Sequence, residues 1–137
     1  MNNIVRMFVL LLLTSAIALA GEYAVIANKN MKSLSPNQVK AIFLKKLVLV
    51  DDTKVVAVNL AARDALRVKF EKEFLHMSFS RLKAYWTKQH YLGHRPPITL
   101  KSVESVKAFV KKVDGAIGYV DVNSLEDDLK VIYRWSE

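Results

Sequence analysis

The sequence predicts an α/β fold, in which helices lie on a β-sheet. Residues 55–58 are an uninterrupted β-compatible apolar run, typical of a strand that is covered on both faces. The pattern then changes period: Leu66, Phe70 and Phe74 recur at helical spacing with charges between them. A strand that passes through a short loop into a helix is half of an α/β unit. Ligands of open α/β sheets usually bind at such a loop, so the sequence indicates a binding module.

The first 20 residues have the features of a signal peptide. Arg6 is followed by an apolar run over residues 7–13, and Ala18 and Ala20 supply the small residues before a cleavage site. We expect cleavage after Ala20, which leaves residues 21–137 as a single domain in the periplasm. An uncleaved anchor is the alternative, although the apolar span is short for a membrane helix. No Cys follows the run, so a lipid anchor is not expected.

The absence of cysteine restricts the chemistry of the chain. Without Cys there are no disulfides, no thiol catalysis and no cysteine-ligated metal sites. Stability must come from an ordinary apolar core, and 52% of the residues are hydrophobic.

The chain is basic, with a formal net charge of +8. In a cytoplasmic protein this charge would indicate nucleic acid as a partner. In an exported protein we expect no nucleic acid, and small anions, acidic membrane lipids or an acidic protein are the favoured partners. The alternative is a solvated basic surface that aids solubility, because the lysines are spread along the chain.

The first half of the mature chain contains clear local signals. Residues 23–27 form a predicted strand, and Ser35, Pro36 and Gln38 then supply an N-cap, a first helical residue and a capping box. The helix is expected to bury three side chains, Val39, Ile42 and Phe43. Residues 47–50 and 54–60 are apolar runs that predict a hairpin, although the turn between them has no Gly.

The next predicted elements are two helices. The helix over residues 64–75 should place Phe70 and Phe74 in the core. Ser78 is the predicted cap of a helix over residues 79–90, whose apolar face consists of Leu82, Tyr85, Trp86 and Gln89. We expect a core position for Trp86 rather than a ligand-stacking one. Gly93 should end this helix.

The remaining segments predict a helix and two strands. Ser102 caps a helix with valines and Phe109 on one face, and residues 116–120 form a strand. Gly118 inside that strand predicts the close approach of another backbone or of a ligand. Residues 129–135 alternate between apolar and polar side chains except at Ile132, which predicts a half-exposed strand at a sheet edge.

No pattern in the sequence supports an enzyme. His76, His90 and His94 could be suggested as metal ligands, but His90 and His94 flank a helix-ending Gly without an obvious third ligand. We expect surface histidines, no metal and no cofactor. Nucleophile-elbow, zinc-protease and phosphate-loop motifs are absent. The acidic residues lie between lysines or in turns, which does not indicate a catalytic carboxylate pair.

The order of several segments is similar to that of a known family. Residues 34–45 (Leu-Ser-Pro-Asn-Gln-Val-Lys-Ala-Ile-Phe-Leu-Lys) resemble the "LSxxQlxxIFlGK" stretch of phosphate-type substrate-binding proteins of ABC transporters. Residues 82–86, Gly93, the Pro96–Pro97 pair and residues 115–120 (Gly-Ala-Ile-Gly-Tyr-Val) continue the resemblance in the same order. The similarity spans nearly all of the mature chain.

The resemblance implies a single periplasmic-binding-protein type II-like lobe, the second lobe of a full-size member. Such a lobe is a mixed sheet of about five strands with helices on both faces. In the family an anion is held by helix N-termini, backbone N–H groups, hydroxyls and Arg. The family's Arg-x-x-Gly-Ser-Gly-Thr loop should fall just before Phe70, where residues 60–66 read Leu-Ala-Ala-Arg-Asp-Ala-Leu. Asp64 would compete with an anion for the helix N–H donors.

Two functions follow. The first is a periplasmic binding module for phosphate or another small anion, serving an ABC transporter, with Asn59, Arg63, Asp64 and Arg67 at the site. Two chains could pair as a homodimer to rebuild a cleft. The second is an interaction module without a small ligand, which serves a membrane transporter or an envelope complex. The missing glycines and hydroxyls and the edge-like tail favour this alternative.

Overall fold

A five-stranded mixed sheet forms the centre of the protein in the computed structural model, which describes residues 21–136. The predicted signal peptide, residues 1–20, lies outside the described residues. The elements in chain order are β1 (Glu22–Ala27), α1 (Pro36–Phe43), β2 (Leu49–Val50), β3 (Thr53–Lys54), β4 (Val56–Leu60), α2 (Ala65–Lys69), a π-helical turn (Phe70–Phe74), α3 (Phe79–Tyr91), β5 (Ile98–Leu100), α4 (Val103–Lys112), β6 (Ala116–Asp121), a 3-10 turn (Val122–Ser124) and β7 (Lys130–Ser136).

The main sheet has the strand order β5-β4-β6-β1-β7. Strands β5, β4 and β6 are parallel, whereas β1 runs antiparallel to both β6 and β7. Strands β2 and β3 form a separate small sheet. Within residues 21–136, no helix has the length and the apolar character that crossing a membrane would require.

Helices cover both faces of the main sheet, as neighbouring residues of β6 show. The phenol ring of Tyr119 stacks on Phe70, with the ring centroids 4.0 Å apart, and lies 5.9 Å from the ring of Phe43 in α1. Gly118 points to the opposite face, where α4 packs. A Cβ atom at Gly118 would lie 2.8 Å from Cγ1 of Val106. The predicted mixed sheet with helices on both faces is therefore confirmed.

The close neighbour of Gly118 corrects one prediction. We expected a second backbone or a ligand at this residue, whereas the nearest atom belongs to the Val106 side chain of α4. The missing side chain lets the helix approach the strand closely, so Gly118 is a packing residue.

The predicted capping box of α1 is confirmed. The Ser35 backbone N–H donates to Oε1 of Gln38 at 2.8 Å, and the Gln38 N–H donates to Oγ of Ser35 at 3.2 Å. The helix buries the three predicted side chains, Val39, Ile42 and Phe43.

The predicted hairpin exists but is shorter than expected. Strands β2 and β3 pair over two residues each, and Asp51 and Asp52 take φ angles of 48° and 63° in the turn between them. Aspartate tolerates this left-handed region better than most residues, so the turn forms without Gly. The predicted second strand is divided: Thr53–Lys54 completes the hairpin, and Val56–Leu60 joins the main sheet.

The predicted helix after β4 is also divided. Asp64 caps α2, and the chain then widens into the π-helical turn Phe70–Phe74. Phe70 and Phe74 are buried and stack on each other with centroids 5.3 Å apart. Their predicted core positions are confirmed.

The helix α3 packs less closely than its sequence predicts. Ser78 caps it and Gly93, at φ 82°, follows its end, as expected. Of the predicted apolar face, only Leu82 is buried, whereas Tyr85, Trp86 and Gln89 are partly exposed. The predicted core position of Trp86 is therefore wrong. Its ring makes an edge contact with Tyr85 at the rim of the fold, with centroids 4.9 Å apart.

The tail forms the edge strand β7, as predicted. The register against β1 shifts between Val25, which pairs with Tyr133, and Ile26, which pairs with Val131. Ile132 is the extra residue of this bulge, and its side chain packs on the core. The bulge explains why Ile132 breaks the alternation.

Candidate functional site

The predicted site lies at the carboxyl edge of the parallel strands. Strand β4 ends at Leu60, which is in register with Leu100, the last residue of β5, and β6 runs parallel beside β4. The loop of residues 61–64 therefore leaves the sheet on the same edge as Ser102, the N-cap of α4. Ala61, Ala62 and Arg63 are exposed, so this edge is open to solvent.

Asn59 is buried and bonded within the sheet. Its Oδ1 atom accepts a hydrogen bond from the Tyr119 hydroxyl at 2.8 Å, and the hydroxyl oxygen accepts the Leu60 N–H at 3.2 Å. Burial raises the pKa of Tyr119 well above its usual range, so the phenol remains a neutral donor. The arrangement joins β4 to β6 and leaves Asn59 8% exposed.

Arg67 is bonded to the end of the strand that precedes it. Its Nη1 donates to the Leu60 carbonyl at 2.8 Å, and its Nε lies 3.3 Å from a carboxylate oxygen of Glu71. The side chains of Arg67 and Glu71 are 18% and 13% exposed. The guanidinium charge is therefore balanced inside the protein rather than presented to an anion.

Asp64 occupies the position that an anion would need. Its Oδ1 accepts the Leu66 N–H at 2.8 Å, and its own N–H donates to the Ala61 carbonyl at 2.9 Å. A capping carboxylate both satisfies this donor and places negative charge at the start of α2. Of the four predicted site residues, Arg63 alone is exposed.

The structure thus gathers the predicted residues around Leu60 but gives most of them internal partners. Sequence reasoning missed Tyr119 and Glu71, which hold Asn59 and Arg67 in place. The spacing of Arg67 and Glu71, four residues apart on one helix, is a signal that could have revealed the second pair. The pairing of Asn59 with Tyr119 depends on the sheet register and has no local signal.

A second charged cluster lies where α4 meets the loop before β7. Glu126 accepts hydrogen bonds from Lys107, at 2.7 Å, and from Lys111. The two ammonium groups lower the pKa of Glu126 to about 2, and the carboxylate raises the pKa of each lysine. Glu104 and Asp128 also pair with Lys107 and Lys111, at 3.3 Å and 3.5 Å. The cluster therefore fastens α4 to the loop and carries no excess positive charge for a ligand.

The histidines do not form a metal centre. Nδ1 of His94 lies 2.7 Å from Oε1 of Gln89, and His76 lies at a separate groove of about 500 Å³ beside the π-helical turn. Among residues 21–136, no group of three His, Asp or Glu side chains is placed to hold a metal ion.

The fold is that of one lobe of the substrate-binding proteins of phosphate ABC transporters. The chain is similar to an ABC-type phosphate transport receptor from Vibrio cholerae, with 16% identity, a TM-score of 0.65, and coverage of 82% of this chain and 46% of that one.

A second solved relative is described as a phosphate ABC transporter substrate-binding protein with bound phosphate, from Clostridium perfringens. Its identity is 20% and its TM-score 0.66, and the match covers 82% of this chain and 44% of that one. The chain therefore spans less than half the length of either relative. No protein-family model matches the chain, and no curated protein sequence matches it.

Proposed function

We propose that this chain works in the periplasm as a substrate-binding-protein-like module of a membrane transporter or envelope complex. In this proposal it acts through contact with a partner protein and does not capture a phosphate-like anion tightly. It is a binding protein rather than an enzyme. The similarity to transport proteins over 82% of the chain supports the transporter-related role.

The main support for this proposal comes from the contacts at the junction, the segment from Leu60 to Arg67 in which β4 passes into α2. The carboxylate of Asp64 takes the helix N–H that an anion would use, and Arg67 bonds to Leu60 and Glu71. An incoming phosphate would have to displace these bonds and approach a carboxylate at close range. It would also bind on an open edge, where water weakens charge-assisted hydrogen bonds.

Calorimetry on the mature protein tests the first part of this proposal. We expect no saturable heat with millimolar phosphate, sulfate or small carboxylates. A micromolar dissociation constant for any of these anions, lost in Arg63→Ala and retained in the exposed-lysine control Lys29→Ala, would overturn it.

Site-specific crosslinking in cells tests the second part. A photo-reactive residue at the exposed Ala62 should give a discrete crosslinked band with a membrane or envelope protein. The band should survive Arg63→Glu, because the contact does not depend on an anion site. The same probe at the exposed Lys29, which follows β1 at the opposite edge of the sheet, is the matched control. Loss of the band on Arg63→Glu would contradict an anion-independent contact.

Small-anion binding is the second candidate function, and the exposure of Arg63 favours it. A lone arginine on an open edge gives weak binding, so this function would require two chains to close a cleft. The measurement is sedimentation with and without phosphate. Phosphate-dependent dimerisation that is abolished by Arg63→Ala would establish it, and a monomer at every phosphate concentration would exclude it.

A further inference from the structure

The chain contains a long segment without negative side chains. Residues 75–103 include no Asp or Glu but contain all three histidines of the protein. The cations of the segment are Arg81, Lys83, Lys88, Arg95 and Lys101. The helix α3 forms the first half of this segment, so its surface carries charge of one sign.

Most of α3 faces solvent. Leu82 is its one buried side chain, and large apolar residues are exposed at both ends of the helix. Phe79 is 68% exposed at the first residue, and Tyr91 is 85% exposed at the last. Leu92, the C-cap, is 59% exposed. Tyr91 and Leu92 are adjacent, so the C-terminal end of α3 presents an apolar patch rather than a single scattered side chain.

The side of α3 opposite Leu82 forms a shallow groove, which we call the basic face. It is lined by small side chains and, along its length, by two lysines and an aromatic ring: Ser80, Lys83, Ala84, Thr87, Lys88 and Tyr91. Neither Lys83 nor Lys88 forms an ion pair with an acidic side chain among residues 21–136. Lys107 and Lys111 of α4, in contrast, both pair with Glu126, and they pair in addition with Glu104 and Asp128, respectively.

We propose that the basic face docks on the surface of a membrane that contains anionic phospholipids. Unpaired lysines are attracted to the negative headgroups, and their aliphatic stems lie along the interface. The ring of Tyr91 and the side chain of Leu92 are suited to the boundary between headgroups and acyl chains. The helix would lie on the membrane rather than cross it.

The kind of cation on the basic face favours a lipid surface over an acidic protein. Lysine is depleted at protein–protein interfaces, where the planar guanidinium of arginine is enriched, and both cations of this groove are lysines. A fluid layer of anionic headgroups requires only attraction to a positive point charge, which a lysine supplies. This inference is independent of the junction after β4, because the basic face contains none of its residues.

Cosedimentation with vesicles tests the proposal. The mature protein, residues 21–137, is mixed with equimolar phosphatidylglycerol and phosphatidylcholine vesicles, or with pure phosphatidylcholine vesicles. Binding is expected with the first and not with the second, and it should weaken as salt rises. Replacing both Lys83 and Lys88 by Gln should reduce the affinity about 25-fold, because each cation near the surface contributes roughly a factor of five.

A charge-matched control separates this surface from net charge alone. Lys29→Gln with Lys112→Gln removes the same charge from exposed positions outside the basic face and should change the affinity less than about threefold. Tyr91→Ser should weaken binding severalfold without any charge change. Circular dichroism confirms the fold of each variant, and Lys88→Gln alone, with a fivefold expected loss, replaces the double variant if that one unfolds.

Three results would overturn the proposal. The first is the absence of binding to phosphatidylglycerol vesicles at low salt. The second is an equal loss in the two double variants, which would show attraction by net charge only. The third is binding to polyglutamate but not to vesicles, reduced by the Lys83 and Lys88 changes, which would identify an acidic protein as the partner of this face.

Discussion

The helices α3 and α4 begin in the same way but pack very differently. Each has a serine N-cap whose hydroxyl accepts the backbone N–H three residues later, at 3.2 Å from Ser78 and 3.1 Å from Ser102. Each also has an apolar stripe and at least two lysines. Yet α4 buries Val106 and Val110 in the core and Lys107 beside Glu126, whereas α3 buries only Leu82.

The difference lies in what each helix packs against. The stripe of α4 meets Gly118, where the strand has no side chain, and Lys107 and Lys111 are held by Glu126. Among residues 21–136 no glycine lies against the stripe of α3, and the lysines of α3 have no acidic partner there. Similar helical patterns therefore give one structural helix and one helix with a free surface.

The largest effect should come from filling the recess beneath α4. Gly118→Val would place its Cβ against Val106 and displace the helix, and we expect a loss of about 3 kcal/mol in the free energy of unfolding, measured by urea denaturation. Ala84→Val, on the exposed side of α3, introduces the same side chain and should cost about 0.5 kcal/mol, through helix propensity alone. Equal losses in the two variants would contradict the packing difference.

Removal of the serine N-caps should show the same difference between α3 and α4, with a smaller change in the free energy of unfolding. Ser102→Ala should lower the global free energy of unfolding by about 1 kcal/mol, because α4 is part of the cooperative core. Ser78→Ala removes an equivalent bond, but its effect should appear as faster amide hydrogen exchange confined to α3. Mass spectrometry of exchange, together with urea denaturation, separates the two outcomes. A global loss with Ser78→Ala equal to that with Ser102→Ala would show that α3 is also part of the core.

The smallest effect concerns the charges that fasten α4. Because the folded pKa of Glu126 is lowered from 4.5 to about 2, its contribution to stability is present above pH 4.5 and is lost as the pH falls toward 2. The stability difference between the wild type and Glu126→Gln should therefore be constant near neutral pH and vanish in acid. Glu22→Gln, at an exposed residue of β1, is the control. If the stability difference between the wild type and Glu126→Gln were unchanged at low pH, the stabilisation would not come from the ionised Glu126 carboxylate.

Local signals in the sequence predicted much of the fold. The capping box at Ser35, the caps at Ser78 and Ser102 and the edge strand β7 all depend on neighbours within a few residues, so a pattern can reveal them. Trp86 shows the limit of this approach. Its helical spacing is typical of a core residue, but burial also requires an opposing surface, which no local pattern reports.

The candidate site could be located from the sequence but not described in detail. The change from strand to helix after Leu60 identified the junction, and Asp64 was readable as a cap. The bond from Arg67 to the Leu60 carbonyl and the bond from Tyr119 to Asn59 depend on how the helix and β6 lie against β4. These contacts decide whether the arginine is available to a ligand, and they exist only in the assembled sheet.

The π-helical turn makes this face of the sheet sensitive to chain length. Its wider backbone allows Phe70 to stack on Tyr119 and Phe74 to stack on Phe70, while Glu73 accepts a hydrogen bond from the indole of Trp135 at 3.0 Å. Deleting one residue here would restore ordinary helical winding but would rotate everything after the deletion by about 100°. The middle of the turn, residues 71–73, is partly accessible to solvent. Homologues with a gap at this point would need a different arrangement of the aromatic side chains.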